Sequence, residues 1–376
     1  MKIALIHDWL RVNAGSEKVV KEILNIYNDD EVELYTLFNT LLIQDKKDIV
    51  RNIPCTTSWL NYIPYIHTLY KSLLPIMPWV IQHMKLKPAN VYISSSHAVA
   101  KGIQVPKDKL HICYCHTPMR YAWYMYEDYM IDIKGLKLLL IKLIIPYIKS
   151  WDFNSSKKVH FFIANSKHIQ TQINEIYHRD SIVIYPPVQV DKFKLNTNPR
   201  KDFYLAVGRF VAYKKMDIII QAFKLMPNKK LVLIGDGYDT QKIKNIIDGA
   251  ENIVWLGYQH DDELILYMQN AKACIFAAKE DFGIMCVEAQ ATGTPVLALN
   301  YGGYKETVID GQTGYFFETQ QVEAIQHVVD RFERSPLTNH TAISTHASKF
   351  SVERFKNELH SFVTMKYSEF YNNSVC

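Results

Sequence analysis

Between Phe203 and Leu299 five short apolar runs alternate with four helical patterns, and this alternation limits the fold more than any other feature. The runs are Phe203–Val207, Leu231–Ile234, Ile253–Leu256, Ala273–Ala277 and Pro295–Leu299. Between them, Asp217–Leu225, Thr240–Ile247, Asp262–Gln269 and Ile284–Ala291 space apolar residues three and four apart, as one face of a helix requires. Strands joined through helices are parallel, so the pattern predicts a parallel sheet covered by helices. The first half repeats the theme more loosely. Strands are expected at Lys2–His7, Val32–Leu37, Val91–Ser94, Leu110–Cys115 and Val159–Ala164, with a helix at Ser16–Tyr27 and a helix start at Asn165-Ser166. Pro186-Pro187 ends a strand, and the polar, irregular stretch from Lys192 to Pro199 reads as a linker. The expected fold class is α/β, with two Rossmann-like, doubly wound domains facing across a cleft.

Length agrees, since 376 residues suit two domains. Hydrophobic residues make up 48% and charged residues 22%, which excludes a largely disordered chain. No repeat of solenoid or propeller length is present. No apolar run reaches the roughly 18–20 residues that span a bilayer. The longest candidate, Leu138 to Ile148, is broken by Lys142 and Pro146. The N-terminal MKIALIHDWL lacks a signal-peptide pattern, so a cytoplasmic location is expected. Cys55, Cys113, Cys115, Cys274, Cys286 and Cys376 show no framework spacing and read as reduced thiols.

The net charge of +5 is unevenly placed. Residues 1–180 hold 22 Lys and Arg against 16 Asp and Glu, whereas the remainder is close to neutral. From Ile49 to Lys107 no acidic residue occurs, while Arg51, Lys71, Lys85, Lys87, Lys101 and Lys107 stand among Trp59, Tyr62, Tyr65, Tyr70 and Trp79. Lys134–Asp152 again sets Lys beside Leu, Ile, Tyr and Trp. Basic and aromatic residues on apolar helices suit an anionic membrane surface; core helices with snorkelling lysines are the alternative. Nucleic acid is disfavoured, because no helix-turn-helix, zinc finger or RRM-type motif appears.

Ligands of doubly wound sheets bind outside the carboxyl ends of the strands, so the residues just after each strand are the candidates. After the first C-terminal strand, Arg209 and Lys214 suit a diphosphate: a bidentate fork and a point charge. After the second, Gly235-Asp236-Gly237 allows close approach of a flat ligand. This is not the G-x-G-x-x-G fingerprint, which weakens a dinucleotide oxidoreductase reading. After the fourth, Glu280, Asp281, Phe282, Gly283 and Ile284 lead into a helix whose N-terminus suits a phosphate. Glu280 and Glu288 can accept hydrogen bonds from sugar hydroxyls. In the first half, Cys113, Cys115 and His116 raise a zinc reading, but C-x-C-H is not a metal-ligand spacing, and the two thiols lie on the opposite strand face from His116.

The segment Glu280–Glu288 resembles the E-x7-E motif of retaining glycosyltransferase family 4. Gly208-Arg209 with Lys214, Gly235-Asp236-Gly237, Thr292-Gly293-Thr294-Pro295-Val296 and Gly303-Tyr304-Lys305-Glu306-Thr307-Val308 resemble that family's donor domain in order and spacing. IHDWL, SSSHAVAKG (Ser94–Gly102), HICYCHTPMRYAW (His111–Trp123) and IANS (Ile163–Ser166) resemble the subgroup of bacterial O-antigen mannosyltransferases. The resemblance implies a GT-B fold: an acceptor domain over 1–190, a nucleotide-sugar domain over 200–350, and a helix within 351–376 crossing back to the first. It implies transfer with retention from a nucleotide-sugar, GDP-mannose for the subgroup, to a lipid-linked saccharide in cell-surface polysaccharide synthesis. His116, Arg209, Lys214 and Glu280 carry the chemistry in that reading. Gly15, Gly235, Asp236, Gly237, Asp281, Phe282, Gly283, Ile284 and Glu288 hold the donor, and Asp8 and Arg120 meet the acceptor. The family's Gly-Gly before the first helix is Ala14-Gly15 here, and either Lys214 or Lys215 faces the phosphates. No D-x-D stands at the donor pocket, so no cofactor or metal is expected. Other readings are a UDP-sugar transferase, an epimerase or phosphorylase on the same fold, and a non-catalytic membrane adaptor.

Overall fold

The structure is a computed structural model that describes residues 1–27, 31–131 and 133–372. Cys376 and the last residues of the segment 351–376 lie outside the described residues. The chain divides into two compact units, Met1–Pro187 with Glu353–Cys376, and Val188–Val352.

The first unit holds a seven-stranded sheet: β1 Ile3–His7, β2 Val32–Thr36, β3 Cys55–Thr57, β4 Val91–Ser96, β5 Leu110–Cys115, β6 Phe161–Ala164 and β7 Ser181–Val183. Their order is β3-β2-β1-β4-β5-β6-β7, with every pairing parallel. The second unit holds β8 Tyr204–Val207, β9 Leu231–Ile234, β10 Ile253–Trp255, β11 Ala273–Phe276, β12 Val296–Leu299 and β13 Gly314–Phe317. They pair in parallel in the order β10-β9-β8-β11-β12-β13. Both are doubly wound α/β sheets whose strand order reverses once, at β1/β4 and at β8/β11.

The central strands are buried on both faces, so they read as continuous apolar runs rather than alternating ones. Sequence periodicity did not resolve the edge strands β3 and β13, whereas the strand expected before Pro186-Pro187 is β7. The Lys192–Pro199 stretch is not a free linker. Phe193 is buried, Gln269 Nε2 donates to the Lys194 carbonyl at 2.8 Å, and Asn196 N donates to the Thr292 carbonyl at 3.3 Å, so it is packed onto the second unit. The Val352–Asn372 helix contributes Phe355, Leu359, Phe362 and Val363 to the first unit's core.

Three buried polar contacts fix the first unit. Asp8 follows β1 and is fully buried. Its carboxylate accepts the backbone N–H groups of His97, Ala98, Val99 and Ala100 at 2.5–3.0 Å, clamping the turn after β4. Burial alone would raise its pKa, but the His97 and His7 imidazoles and these donors outweigh burial and hold it below the carboxylate range. His111 lies inside the sheet, its Nε2 2.9 Å from Ser94 Oγ, and burial lowers its pKa to about 3. Lys101 is buried against Asp152, which also accepts from Trp123 Nε1 at 2.8 Å and Tyr177 OH at 2.7 Å. Lys101 is therefore no part of a basic surface, contrary to the expectation from its acid-free neighbourhood.

Two outcomes follow for stability. Lys101→Ala leaves the Asp152 carboxylate buried without its counter-ion, which should cost about 3–5 kcal/mol, read as a lower urea midpoint. The second concerns pH. His97 is lowered to about 4, chiefly by burial, with Asp8 opposing. Its folded pKa lies below the unfolded value, so the unfolded chain takes up protons first as pH falls. The stability tied to neutral His97 is present above about pH 6.5 and is lost progressively towards pH 4. A gap of that size is worth roughly 3 kcal/mol. Thermal melts at pH 7.5 and 5 should show the loss, and His97→Gln should flatten it; equal melting temperatures in the wild-type protein would contradict the assignment.

Candidate functional site

At the β8/β11 reversal the loops after β8, β9 and β11 meet. Gly208-Arg209-Phe210 leaves β8, and the Gly235–Gly237 turn leaves β9. These two loops are locked together: Phe210 N donates to the Asp236 carbonyl, and Asp239 N to the Phe210 carbonyl, both at 2.9 Å. Gly235 sits at φ +141°, and a Cβ there would overlap the Gly208 carbonyl, so only glycine permits this approach. Asp236 uses its carboxylate locally, accepting the Thr240 hydroxyl and the Gly237 N–H. The Thr240 and Gly237 hydrogen bonds keep its pKa below the usual range.

Lys214 ends a short 3-10 turn, Ala212–Lys214, and its ammonium is ion-paired with Glu280 from the loop after β11. Both side chains are less than a fifth exposed. Burial would lower the lysine pKa, but Glu280 more than offsets it, so Lys214 stays charged above its ordinary range. Lys215 instead takes a left-handed conformation, φ +55°, at the start of the Met216–Lys224 helix. Lys214 is thus the lysine that reaches the mouth of this sheet. Arg209 is exposed beside it, with Nη2 3.4 Å from Tyr213 OH.

The Glu280–Gly283 loop is itself pinned. Gly303 N donates to the Glu280 carbonyl at 2.9 Å, and Gly283, at φ +91°, lies where a Cβ would strike the Tyr304 ring. That positive φ turns the chain into the Ile284–Ala291 helix, whose first N–H groups open at the same end of the sheet. Phe282, Asp281 and Glu288 are buried around this turn. The structure therefore brings Arg209, Lys214, Gly235, Asp236, Gly237, Glu280, Asp281, Phe282, Gly283, Ile284 and Glu288 into one unit.

Asp8, Gly15, His116 and Arg120 belong to the first unit. Gly15 begins the Gly15–Leu24 helix. His116 follows β5, with Nε2 2.8 Å from Ser95 Oγ. The same hydroxyl lies 3.1 Å from His7 Nδ1, and the rings of His7, His97 and His116 stand 5.6–6.3 Å apart. Burial first, then the neighbouring imidazoles and Arg120, hold His116 well below its ordinary pKa, so it is neutral at pH 7. A neutral imidazole can donate from one nitrogen while it accepts at the other. Asp8, offered above as an acceptor-binding residue, has both oxygens committed to backbone N–H groups, so its work here is to shape the His97 turn.

Sequence reasoning missed His7, Ser95 and His97. The signal was available: each stands at the carboxyl end of β1 or β4, beside the strand-order reversal. Ending the fourth strand at Ser94 hid it, because serines favour turns, whereas β4 runs on to Ser96. Cys55, Cys113, Cys115, Cys274 and Cys286 are free thiols. Among the described residues no cluster of three His, Cys, Asp or Glu side chains is arranged to hold a metal ion.

Comparison with known proteins fits this geometry. Residues 187–349 match the family model "Glycosyl transferases group 1". The uncharacterized glycosyltransferase MJ1178 of Methanocaldococcus jannaschii is 28% identical over 295 residues, 75% of this chain and 80% of that protein. Alpha-monoglucosyldiacylglycerol synthase of Acholeplasma laidlawii is 26% identical over 304 residues, 69% of this chain and 75% of its own. Among solved structures, Anabaena Alr3699/HepE in complex with UDP superposes with a TM-score of 0.71 at 16% identity, covering 97% of this chain and 100% of that one. The second unit thus matches the glycosyl transferases group 1 model over nearly its whole length, in a chain whose two parallel-sheet domains have the GT-B fold.

Proposed function

We propose that this protein transfers a hexose from a nucleotide-sugar, with retention of configuration, to a lipid-linked saccharide at the inner face of the cytoplasmic membrane. The observation that carries the reading is the Lys214–Glu280 pair beside Arg209 at the mouth of the second sheet. It sets two cations and a carboxylate next to a helix N-terminus opened by Gly283.

In this mechanism Arg209, Lys214 and the N–H groups from Ile284 onward hold the donor diphosphate. Negative charge grows there as the bond to the anomeric carbon breaks, and fixed cations and dipoles stabilise it without reorganising. Glu280 accepts from hydroxyls of the transferred sugar, and Glu288 from the ribose. The acceptor oxygen attacks from the leaving-group side. Its proton passes to the departing phosphate oxygen, so no separate base is needed. This differs from the paired carboxylates of most glycosidases. In the first unit His116, neutral and held by Ser95, can offer a hydrogen bond to a sugar hydroxyl, and Arg120 a cation to an acceptor phosphate.

Resemblance to O-antigen mannosyltransferases supports GDP-mannose as donor and O-antigen-type polysaccharide as product. The UDP held by Anabaena Alr3699/HepE favours a second reading, a UDP-hexose. A relative named for a glucosylated diacylglycerol supports a lipid-borne acceptor. Thermal shift with GDP, UDP and ADP separates the donors, since a ligand that binds only the folded state stabilises it by mass action.

Lys214→Ala or Arg209→Ala should lower the transfer rate about a hundred-fold or more, the usual cost of a group stabilising transition-state charge. Glu280→Ala should impair transfer while free nucleotide still binds, because the diphosphate then supplies the negative charge that Lys214 loses with Glu280; equal loss of nucleotide affinity would overturn its role at the sugar. Arg209 and Lys214 supply the positive charge a divalent cation would otherwise bring, so activity should persist in excess EDTA. Proton NMR of the product should show the donor's anomeric configuration, and an inverted product would rule out the retaining route.

A further inference from the structure

The Gly135–Ser156 helix is unlike the other long helices of the protein. Leu136, Leu139, Leu140, Leu143 and Tyr147 are each about half or more exposed, Leu136 reaching 71% and Leu143 69%. Their spacing of three, four, seven and eleven residues from Leu136 places them on one stripe roughly 100° wide. Lys137 and Lys142, both exposed, flank the stripe on opposite sides. From Ile133 to Trp151 the sequence has no acidic residue. The opposite face is held: Ile148 is buried, and Ile144, Ile145 and Trp151 pack against the core.

The far end is anchored hard. Trp151 lies where a Cβ on Gly102 would stand, and Asp152, itself fully buried, binds Lys101, Trp123 and Tyr177. The helix is therefore fixed at its C-terminal end and presents its apolar stripe over its first three turns. No helix among the described residues is long and apolar enough to cross a membrane.

We infer that this stripe is a bilayer-docking surface: its leucines enter the acyl boundary of an anionic membrane while Lys137 and Lys142 meet the lipid phosphates. The inference rests on the lipid-borne acceptor proposed above and names the surface that would bring the protein to it. Charge decides the occupant. A second copy docked face to face would bring lysine rows together with no carboxylate on the stripe to neutralise them, whereas an anionic surface complements both. An apolar stripe rimmed by lysines is the pattern of helices that lie in the membrane plane. A rigid, preformed stripe also spares the ordering entropy that a disordered segment would spend on binding.

The mode has a signature. Lysine attraction is screened by salt, and leucine insertion is not. Co-sedimentation with phosphatidylcholine vesicles, with and without phosphatidylglycerol, at low and high salt separates the two. The wild-type protein should pellet with anionic vesicles, weaken at high salt, and keep a residual fraction. Leu139→Glu with Leu143→Glu should lower the partition at least tenfold at both salts. Lys137→Glu with Lys142→Glu should remove chiefly the salt-sensitive part. Nucleotide thermal shift should be unchanged in both variants, showing that they fold. The inference fails if the leucine variant pellets like wild type, or if the wild-type protein is recovered equally in all conditions or in none. It also fails if the wild-type protein does not pellet but forms a dimer that the leucine variant dissolves, which would make a second copy the occupant. Pelleting without any nucleotide binding would instead overturn the proposed transfer and leave the docking surface standing.

Discussion

Parallel pairing is the constraint from which the rest of the molecule follows. A parallel strand cannot return through a hairpin, so every connection crosses a face of the sheet and every carboxyl end lies on one edge. Where strand order reverses, adjacent connections leave on opposite faces and open a crevice. In the first unit that point lies between β1 and β4, and His7, Asp8 and His97 stand there. In the second it lies between β8 and β11, where Arg209, Lys214 and Glu280 stand. Residues far apart in the chain are brought together because of strand order. Glycines at 235 and 283 then let backbone approach where a side chain would obstruct.

The two buried lysine pairs do opposite jobs. Lys101–Asp152 is shut away from water, and two further donors satisfy Asp152, so its charges gain nothing by parting. A contact like this specifies one arrangement of the elements it joins. Lys214–Glu280 remains partly open and lies at the sheet mouth. There the two charges satisfy each other while both side chains keep some access to solvent. Such a pair lowers the cost of holding charge in a low-dielectric site without filling the site permanently.

The sheets were legible because their central strands are buried on both faces and their connecting helices on one, which leaves plain apolar patterns in the sequence. Leu110–Cys115, Leu231–Ile234, Thr240–Ile247 and Ile284–Ala291 coincide with the elements formed. The edge strand β3 escaped because its three residues, CTT, carry no apolar pattern, and Lys192–Pro199 looked like a linker because polar backbone can pack through carbonyls and one buried Phe193. In the second unit the candidate residues follow strands directly, so position alone found them. In the first, the serine run masked the end of β4, and with it the hydroxyl of Ser95 that joins His7 to His116. The Lys101–Asp152 pair could not be read at all, since a separation of 51 residues leaves no local signal.

Charge counting along the chain shows the same limit. A basic stretch in sequence is not a basic surface: Lys101 is neutralised in the interior, and Lys87 is paired with Glu33. Trp59, Tyr62, Tyr65 and Trp79 stay exposed, as do Lys71, Lys85 and Lys107, and a more compact pattern is Lys137 and Lys142 on either side of exposed leucines on one helix. Exposed leucines cost a protein solubility, and a soluble monomer rarely keeps such a row together. Here Asp152 holds the helix from its buried end, so the row cannot turn inward to join the core without breaking the ion pair. The same cluster that makes the first unit rigid therefore also keeps its apolar stripe facing out.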